Sequence, residues 1–345
     1  MVGETRVLVV DDSAVMRRII TDIVQSEGDM IVAGTARNGL EAIAKCKEIH
    51  PDVVTMDIEM PVMDGLTSLQ YIMRECPCPV VMLSAVGKRQ SDLTMKSLER
   101  GAVDFIPKTG ASLSLDLSDE RQLIIQKIRV ASKTSIKEMP NVSERRIIET
   151  DVRSATGNWI VMIGASTGGP RALPEVMSRL PANLHAGVLL IQHMPEGFTK
   201  SFAERLNWGS SLEVREAEDG DTIMPGLALL APGNKHMEVH GQKVHLTDEA
   251  RMHYVRPAID ITMRTGAAAY GPRSIGVILT GMGGDGTEGL REIKKQGGKT
   301  IAQDEATSIV YGMPKVAREA GVVDVVAPLN AIARNIVMSL ADVGV

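Results

Sequence analysis

No stretch of this sequence approaches the ~18 uninterrupted apolar residues of a membrane-spanning helix, so direct membrane insertion is not expected. Met1 to Arg6 lack a basic-then-apolar signal pattern, and the first apolar run is short and leads straight into acids. No signal peptide is therefore expected. Cysteine is scarce: Cys46, Cys76 and Cys78 all lie in the first third. An odd, sparse set fits a reducing compartment rather than a disulfide framework, which points to the cytoplasm. Cys76-Pro-Cys78 has no second Cys/His pair at zinc spacing, so it reads as two small thiols in the turn before a strand. A lysine/arginine stripe is also missing, with net charge −5 and a sequence pI near 5.9. Nucleic acid is not an expected partner, and the lack of a helix-turn-helix candidate argues against a transcription factor. No sequence repeat links the two halves.

What is present is ordinary globular material. The chain has 345 residues, 44% hydrophobic and 23% charged, enough for two full cores. Short apolar runs alternate with segments of helical period over the first 110 residues. Arg6–Val10, Met30–Gly34, Val53–Met56, Val80–Leu83 and Val103–Ile106 read as strands buried on both faces. Helices are expected at Ser13–Ser26, Leu40–Ile49, Leu66–Met73, Leu93–Leu98 and Leu117–Val130. Five βα units predict an α/β fold, a five-stranded parallel sheet with ligands at the carboxyl ends of its strands. The pattern then fades into a charged linker. The expected division is 1–125, a linker over 126–154, and a second α/β domain over 155–345.

In that second domain, strands are expected at Trp159–Ile163, Gly187–Ile191, Ile275–Thr280 and Val322–Val326. An antiparallel hairpin joins His236–Val239 to Val244–Leu246 through Gly241. Helices are expected at Arg171–Leu180, Pro257–Tyr270, Gly289–Gln296 and Leu329–Leu340. The result is a doubly wound, mostly parallel sheet.

Asp11 and Asp12 follow the first strand and Asp57 the third. Each alone reads as a cap or a loop acid. Together at one sheet edge they repel one another and suit a hard cation such as Mg²⁺. Ser84 and Lys108, at the ends of strands four and five, could hold an anion such as a phosphoryl group. This region, roughly 4–125, resembles the receiver domains of two-component response regulators. The resemblance implies a flavodoxin-like fold, with Asp57 accepting a phosphoryl group from a sensor histidine kinase. Mg²⁺ would sit on Asp12 and Asp57 with help from Asp11. Ser84 and Lys108 would contact the phosphoryl group, and Phe105 would be the switch aromatic. Many receivers carry proline after this lysine; here Thr109 follows and Pro107 precedes.

Gly164-Ala-Ser166-Thr-Gly168-Gly-Pro170 joins a strand to a helix and matches G-x-S-x-G. Such a turn lifts a serine hydroxyl above a sheet, although a phosphate-binding loop also uses a helix N-terminus. The chain has no G-x-G-x-x-G there and no P-loop lysine, which favours a nucleophile. His193 and Asp285 each follow a strand at the same edge, Asp285 within a glycine-rich loop. The order Ser, His, Asp differs from the Ser, Asp, His of ordinary α/β-hydrolases.

The second half resembles the catalytic domain of chemotaxis protein-glutamate methylesterases. The matching segments are Gly164-Ala-Ser-Thr-Gly-Gly169, Gln192-His-Met-Pro195, Ala231-Pro-Gly-Asn-Lys-His236 and Thr280-Gly-Met-Gly-Gly-Asp-Gly286. The resemblance implies Ser166 as nucleophile, His193 as general base and Asp285 as its orienting acid. The backbone N–H groups of Met282 and Thr167 would form the oxyanion hole. Lys235 and His236 either shape the cleft rim or touch substrate. The implied substrates are γ-methyl glutamyl esters of methyl-accepting chemoreceptors, with deamidation of receptor glutamines. Mg²⁺ would serve the receiver and no cofactor the esterase. The receiver would pack across the catalytic cleft until phosphorylated. The alternative is a phosphorylation-controlled binding module with a non-catalytic hydrolase fold.

Overall fold

The computed structural model describes residues 4–108, 118–134 and 158–341. The chain divides into two compact units, Met1–Met139 and Pro140–Val345.

The first unit alternates β1 (Thr5–Val10), α1 (Ala14–Gln25), β2 (Met30–Ala36), α2 (Gly39–Ile49) and β3 (Val53–Asp57). It continues with α3 (Gly65–Glu75), β4 (Val80–Ser84), α4 (Lys88–Glu99), β5 (Asp104–Pro107) and α5 (Ser118–Ala131). All the strand pairs are parallel, in the order β2-β1-β3-β4-β5. Every residue of β3 and β4 is buried, which is why these strands are largely apolar rather than alternating. Side-chain caps start the helices where the sequence places short polar residues. Ser13 accepts from the Met16 N–H, Asn38 from Glu41 and Asp64 from Thr67. Cys46 and Cys78 are buried small side chains, their thiols near the carbonyls of Cys76 and Pro51.

Helix α5 runs past residue 125 to Ala131. The linker expected over 126–154 lies mostly outside the described residues, as does Thr109.

The second unit holds a seven-stranded sheet in the order β14-β13-β12-β6-β7-β9-β8, with every strand pair parallel. Its central strands are β6 (Trp159–Ala165), β7 (Ala186–Gln192) and β12 (Ser274–Ile278), each buried throughout. Strands β8 (Glu213–Glu216) and β9 (Leu227–Leu230) extend one side, β13 (Lys299–Gln303) and β14 (Val325–Ala327) the other. The hairpin is present as β10 (His236–His240) and β11 (Lys243–Thr247). The helices are α6 (Gly169–Met177), α7 (Thr199–Gly209), α8 (Ile259–Tyr270), α9 (Thr287–Lys295), α10 (Met313–Glu319) and α11 (Leu329–Ala341). One cluster of fully buried side chains joins Ile160, Met162 and Leu189 of the sheet to Met263 of α8 and Leu290 of α9.

Strands β8, β9 and β13 and helices α7 and α10 were not foreseen. β13 reads Lys-Thr-Ile-Ala-Gln, too polar for an apolar run, because its buried polar residues are satisfied by tertiary partners. Thr300 Oγ1 donates to Asp324 at 2.8 Å, and Gln303 accepts the Thr280 N–H at 2.8 Å. β8 is an edge strand of Glu-Val-Arg-Glu with one fully buried residue. The last strand, β14, lies three residues later than the Val322 start expected from its apolar run.

Candidate functional sites

In each unit the chain leaves the middle of the sheet in both directions, and the candidate residues stand at that point, where open parallel sheets bind ligands.

In the first unit this point lies between β1 and β3. Asp11 is fully buried, Asp57 nearly so, and Asp12 exposed. One oxygen from each falls within 4.8 Å of the others. Lys108 Nζ stands 2.7 Å from Asp11 Oδ2 and 2.8 Å from Asp57 Oδ1, one ammonium facing two carboxylates. Among the described residues no donor is aligned on Asp11 Oδ2, so its contact with Lys108 is one of charge. Asp11 Oδ1 accepts the Ser13 N–H at 2.9 Å, which turns the chain into α1. Burial pushes the Asp57 carboxyl up to about 6; Lys108 opposes the rise and the Asp11 charge adds to it. An all-oxygen set with one oxygen free of aligned donors fits a hard divalent cation such as Mg²⁺. Gly65 is obligatory beside this site, since any side chain there would overlap the Asp57 carbonyl.

Ser84 is buried at the end of β4, 2.6 Å from Thr94 Oγ1 of α4, and its own hydroxyl donates to the Ala85 carbonyl at 3.2 Å. Phe105 is buried. Lys127 Nζ lies 5.2 Å from the centre of its ring, donates to its carbonyl at 2.7 Å and pairs with Asp104 at 2.8 Å. All the residues expected to act on a phosphoryl group thus lie at the carboxyl ends of adjacent strands.

In the second unit the candidate residues follow three neighbouring strands, β12, β6 and β7. Ala165 pairs with Gln192, so Ser166 and His193 leave adjacent strands at the same level. The His193 N–H donates to the Ala165 carbonyl at 3.1 Å. The Gln192 amide ties the two loops together, donating to the Ser166 and His193 carbonyls at 2.9 and 3.1 Å. On the other side the Ser166 N–H donates to the Thr280 carbonyl at 3.1 Å. Gly281 permits that approach, because a Cβ there would lie 2.7 Å from the Ser166 Cβ. Gly168, at φ +84°, lets the chain turn from the serine into α6.

His193 Nε2 lies 2.8 Å from Asp285 Oδ2. With Nε2 donating to that carboxylate, Nδ1 is the acceptor nitrogen of the neutral ring. Asp285 also accepts the Ile259 N–H on Oδ2 at 2.8 Å and the Asp260 N–H on Oδ1 at 3.0 Å. Burial works against its charge, but the His193 ring and these two N–H groups outweigh it and hold its pKa below the ordinary carboxylate value. His253, Asp260 and Asp285 also bring ligand atoms within 4.8 Å. Asp285 is committed to three hydrogen bonds, and His253 Nε2 lies 3.5 Å from Asp260 Oδ2. Among the described residues no hydrogen bond holds the Met282 N–H, whereas the Gly281 N–H is taken by the Val310 carbonyl at 3.0 Å.

Of the two residues whose role stood open, His236 is fully buried. Its Nδ1 accepts the Ala258 N–H at 3.2 Å and its Nε2 lies 3.1 Å from the Ala250 carbonyl. It joins the hairpin to the start of α8. Lys235 pairs with Asp248 at 2.5 Å. Both tie the loop to its neighbours through these contacts. Asp260 went unnoticed in the sequence. It sits in a helix among apolar residues, and nothing local marks it.

The family model for the CheB methylesterase matches residues 161–336, and that for the response regulator receiver domain matches 7–116. A protein-glutamate methylesterase/protein-glutamine glutaminase from Pyrococcus abyssi is 47% identical over 97% of this chain and 93% of that protein. One from Moorella thermoacetica is 42% identical over 98% of this chain and 99% of that protein. The crystal structure of the Thermotoga maritima CheB methylesterase catalytic domain is 44% identical, with a TM-score of 0.51. It covers 53% of this chain and 99% of its own. Full-length identity of this order, together with both domain matches in the same order, makes this chain a member of the CheB methylesterase family with an N-terminal response regulator receiver domain.

Proposed function

We propose that this chain hydrolyses γ-methyl esters of glutamate side chains in methyl-accepting chemoreceptors, and deamidates receptor glutamines, under control of a phosphoryl group on Asp57. The observation that carries the reading is the 2.8 Å bond from His193 to a buried, ionised Asp285, at the strand end beside Ser166. Ser166 Oγ attacks the side-chain carbonyl carbon and its proton passes to His193 Nδ1. The same proton then goes to the departing methanol or ammonia, leaving an acyl-serine. Water, deprotonated by His193, attacks the acyl carbonyl and restores Ser166. Asp285 fixes the ring with Nδ1 free and stabilises the imidazolium. The N–H groups of Met282 and Thr167 receive the oxyanion, each donor worth about 10²–10³-fold.

Asp11, Asp12 and Asp57 would hold Mg²⁺, which neutralises charge as phosphoryl reaches Asp57 from a sensor histidine kinase. Lys108 and Ser84 then bind the phosphoryl oxygens, and Phe105 is the switch aromatic. The division of labour is receiver over 1–125, linker over 126–154 and esterase over 155–345. The unphosphorylated receiver restrains the esterase. Among the described residues no helix is long and apolar enough to cross a membrane, and a cytoplasmic location suits receptor tails as substrates.

Methanol release from methylated receptor tests the esterase. Ser166→Ala is expected to abolish release while keeping the parent's melting temperature; substantial release by a folded Ser166→Ala protein would refute the nucleophile.

A further inference from the structure

Helices α8 and α9 both begin without a side-chain cap of their own. The residue before α8 is Ala258, and the residue before α9 is Gly286, at φ +94°. The first N–H groups of a helix have no partner within it and need one elsewhere when buried. Each helix takes that partner from the other. Asp285, in the loop leading into α9, accepts the N–H groups of Ile259 and Asp260 at the start of α8. Asp260, on the first turn of α8, accepts the Gly289 N–H on the first turn of α9 at 2.7 Å. Both side chains are buried, at 2% and 3% exposure. Gly289 allows the approach, since a Cβ there would lie 2.5 Å from the Met263 Cβ of α8.

We propose that Asp260 is a positioning residue for the esterase: by capping α9 it locks the 281–286 loop against α8 and fixes the Asp285 carboxylate on His193. The clamp is reciprocal, so loosening Asp260 from Gly289 also loosens the two N–H groups that aim Asp285. The same loop carries Met282, so the acid and an oxyanion donor move together. Among the described residues Asp260 makes no hydrogen bond or ion pair with His193; it acts through Asp285. The inference rests on the proposed roles of His193 and Asp285.

Three variants of the full chain separate cap geometry from charge. Asp260→Asn keeps an oxygen for the Gly289 N–H and removes the charge. Asp260→Glu keeps the charge and displaces the oxygen by one methylene. Asp260→Ala removes the cap. A displacement of about 1 Å at a catalytic group can cost on the order of 100-fold. For Ala and Glu the expected result is therefore a roughly 10- to 100-fold fall in kcat with little change in KM. Asn is expected within about threefold of the parent. Amide exchange at Ile259 and at residue 260 should quicken in Ala and Glu and not in Asn. If Ala fails to fold, the Asn and Glu pair still decides. Parental kcat in Ala or Glu, or Asn falling as far as they do, would overturn the clamp. If the parent itself releases no methanol, the proposed function fails, and the exchange arm still decides whether Asp260 aims Asp285.

Discussion

The two units apply the same architectural rule to opposite ends. Each is an open parallel sheet with a buried aspartate at its carboxyl edge, Asp57 as the last residue of β3 and Asp285 in the loop that follows β12. In the receiver, Asp57 shares a single ammonium with Asp11, and burial pushes its carboxyl up to about 6. In the catalytic unit, Asp285 is buried more deeply yet held below the ordinary carboxylate value by the imidazole and two helix N–H groups. Depth alone does not set the charge; the number of donors aimed at the carboxylate does. On the proposed reading, the under-compensated carboxylate takes the cation and the phosphoryl group, and the compensated one is the fixed charge that orients the histidine.

That contrast can be broken at either aspartate. The largest effect is expected at Asp285. Asp285→Asn keeps the shape but can turn its amide nitrogen towards His193 Nε2, favouring the wrong tautomer, and a roughly 10⁴-fold fall in kcat is expected. A loss under tenfold would mean that the ring is held by something other than Asp285.

A smaller effect, on stability, is expected at Asp57. Burial raises its folded pKa to about 6, above the ordinary aspartate value of 3.8. The folded receiver therefore binds the proton more tightly than the unfolded chain. This contribution is full below about pH 4 and is lost as pH rises through about 6. In buffer free of divalent cations, the receiver's unfolding midpoint should fall over that window. Asp57→Asn should flatten the fall and raise the midpoint at pH 7. An Asp57→Asn protein with the parent's pH dependence would contradict the under-compensation of Asp57.

The receiver was legible element by element because β3 and β4 are buried throughout and read as largely apolar runs, and the partly buried β2 still opens on Met30-Ile-Val. The second sheet was legible only at its centre. β6, β7 and β12 are apolar, whereas β13 hides Thr300 and Gln303 behind partners that appear only on folding, and β8 is a polar edge. The site followed the same divide. Ser166, His193 and Asp285 stand in glycine-rich or strand-end contexts that announce a special backbone. Asp260 does not, because its meaning lies in a reciprocal contact with Asp285, 25 residues away. Nor did the sequence disclose which ring nitrogen of His193 faces Asp285, since that depends on how the ring is turned.

The central claim is that a phosphoryl group on the under-compensated aspartate governs a reaction oriented by the fully compensated one. The initial rate of methanol release from methylated receptor, with and without a small-molecule phosphodonor and Mg²⁺, tests it directly. For the parent chain the donor should raise the rate at least tenfold, a shift of about 1.4 kcal/mol. It should leave the rate of Asp57→Asn where it was. A parent that ignores the donor, or an Asp57→Asn protein that responds to it as the parent does, would contradict the account.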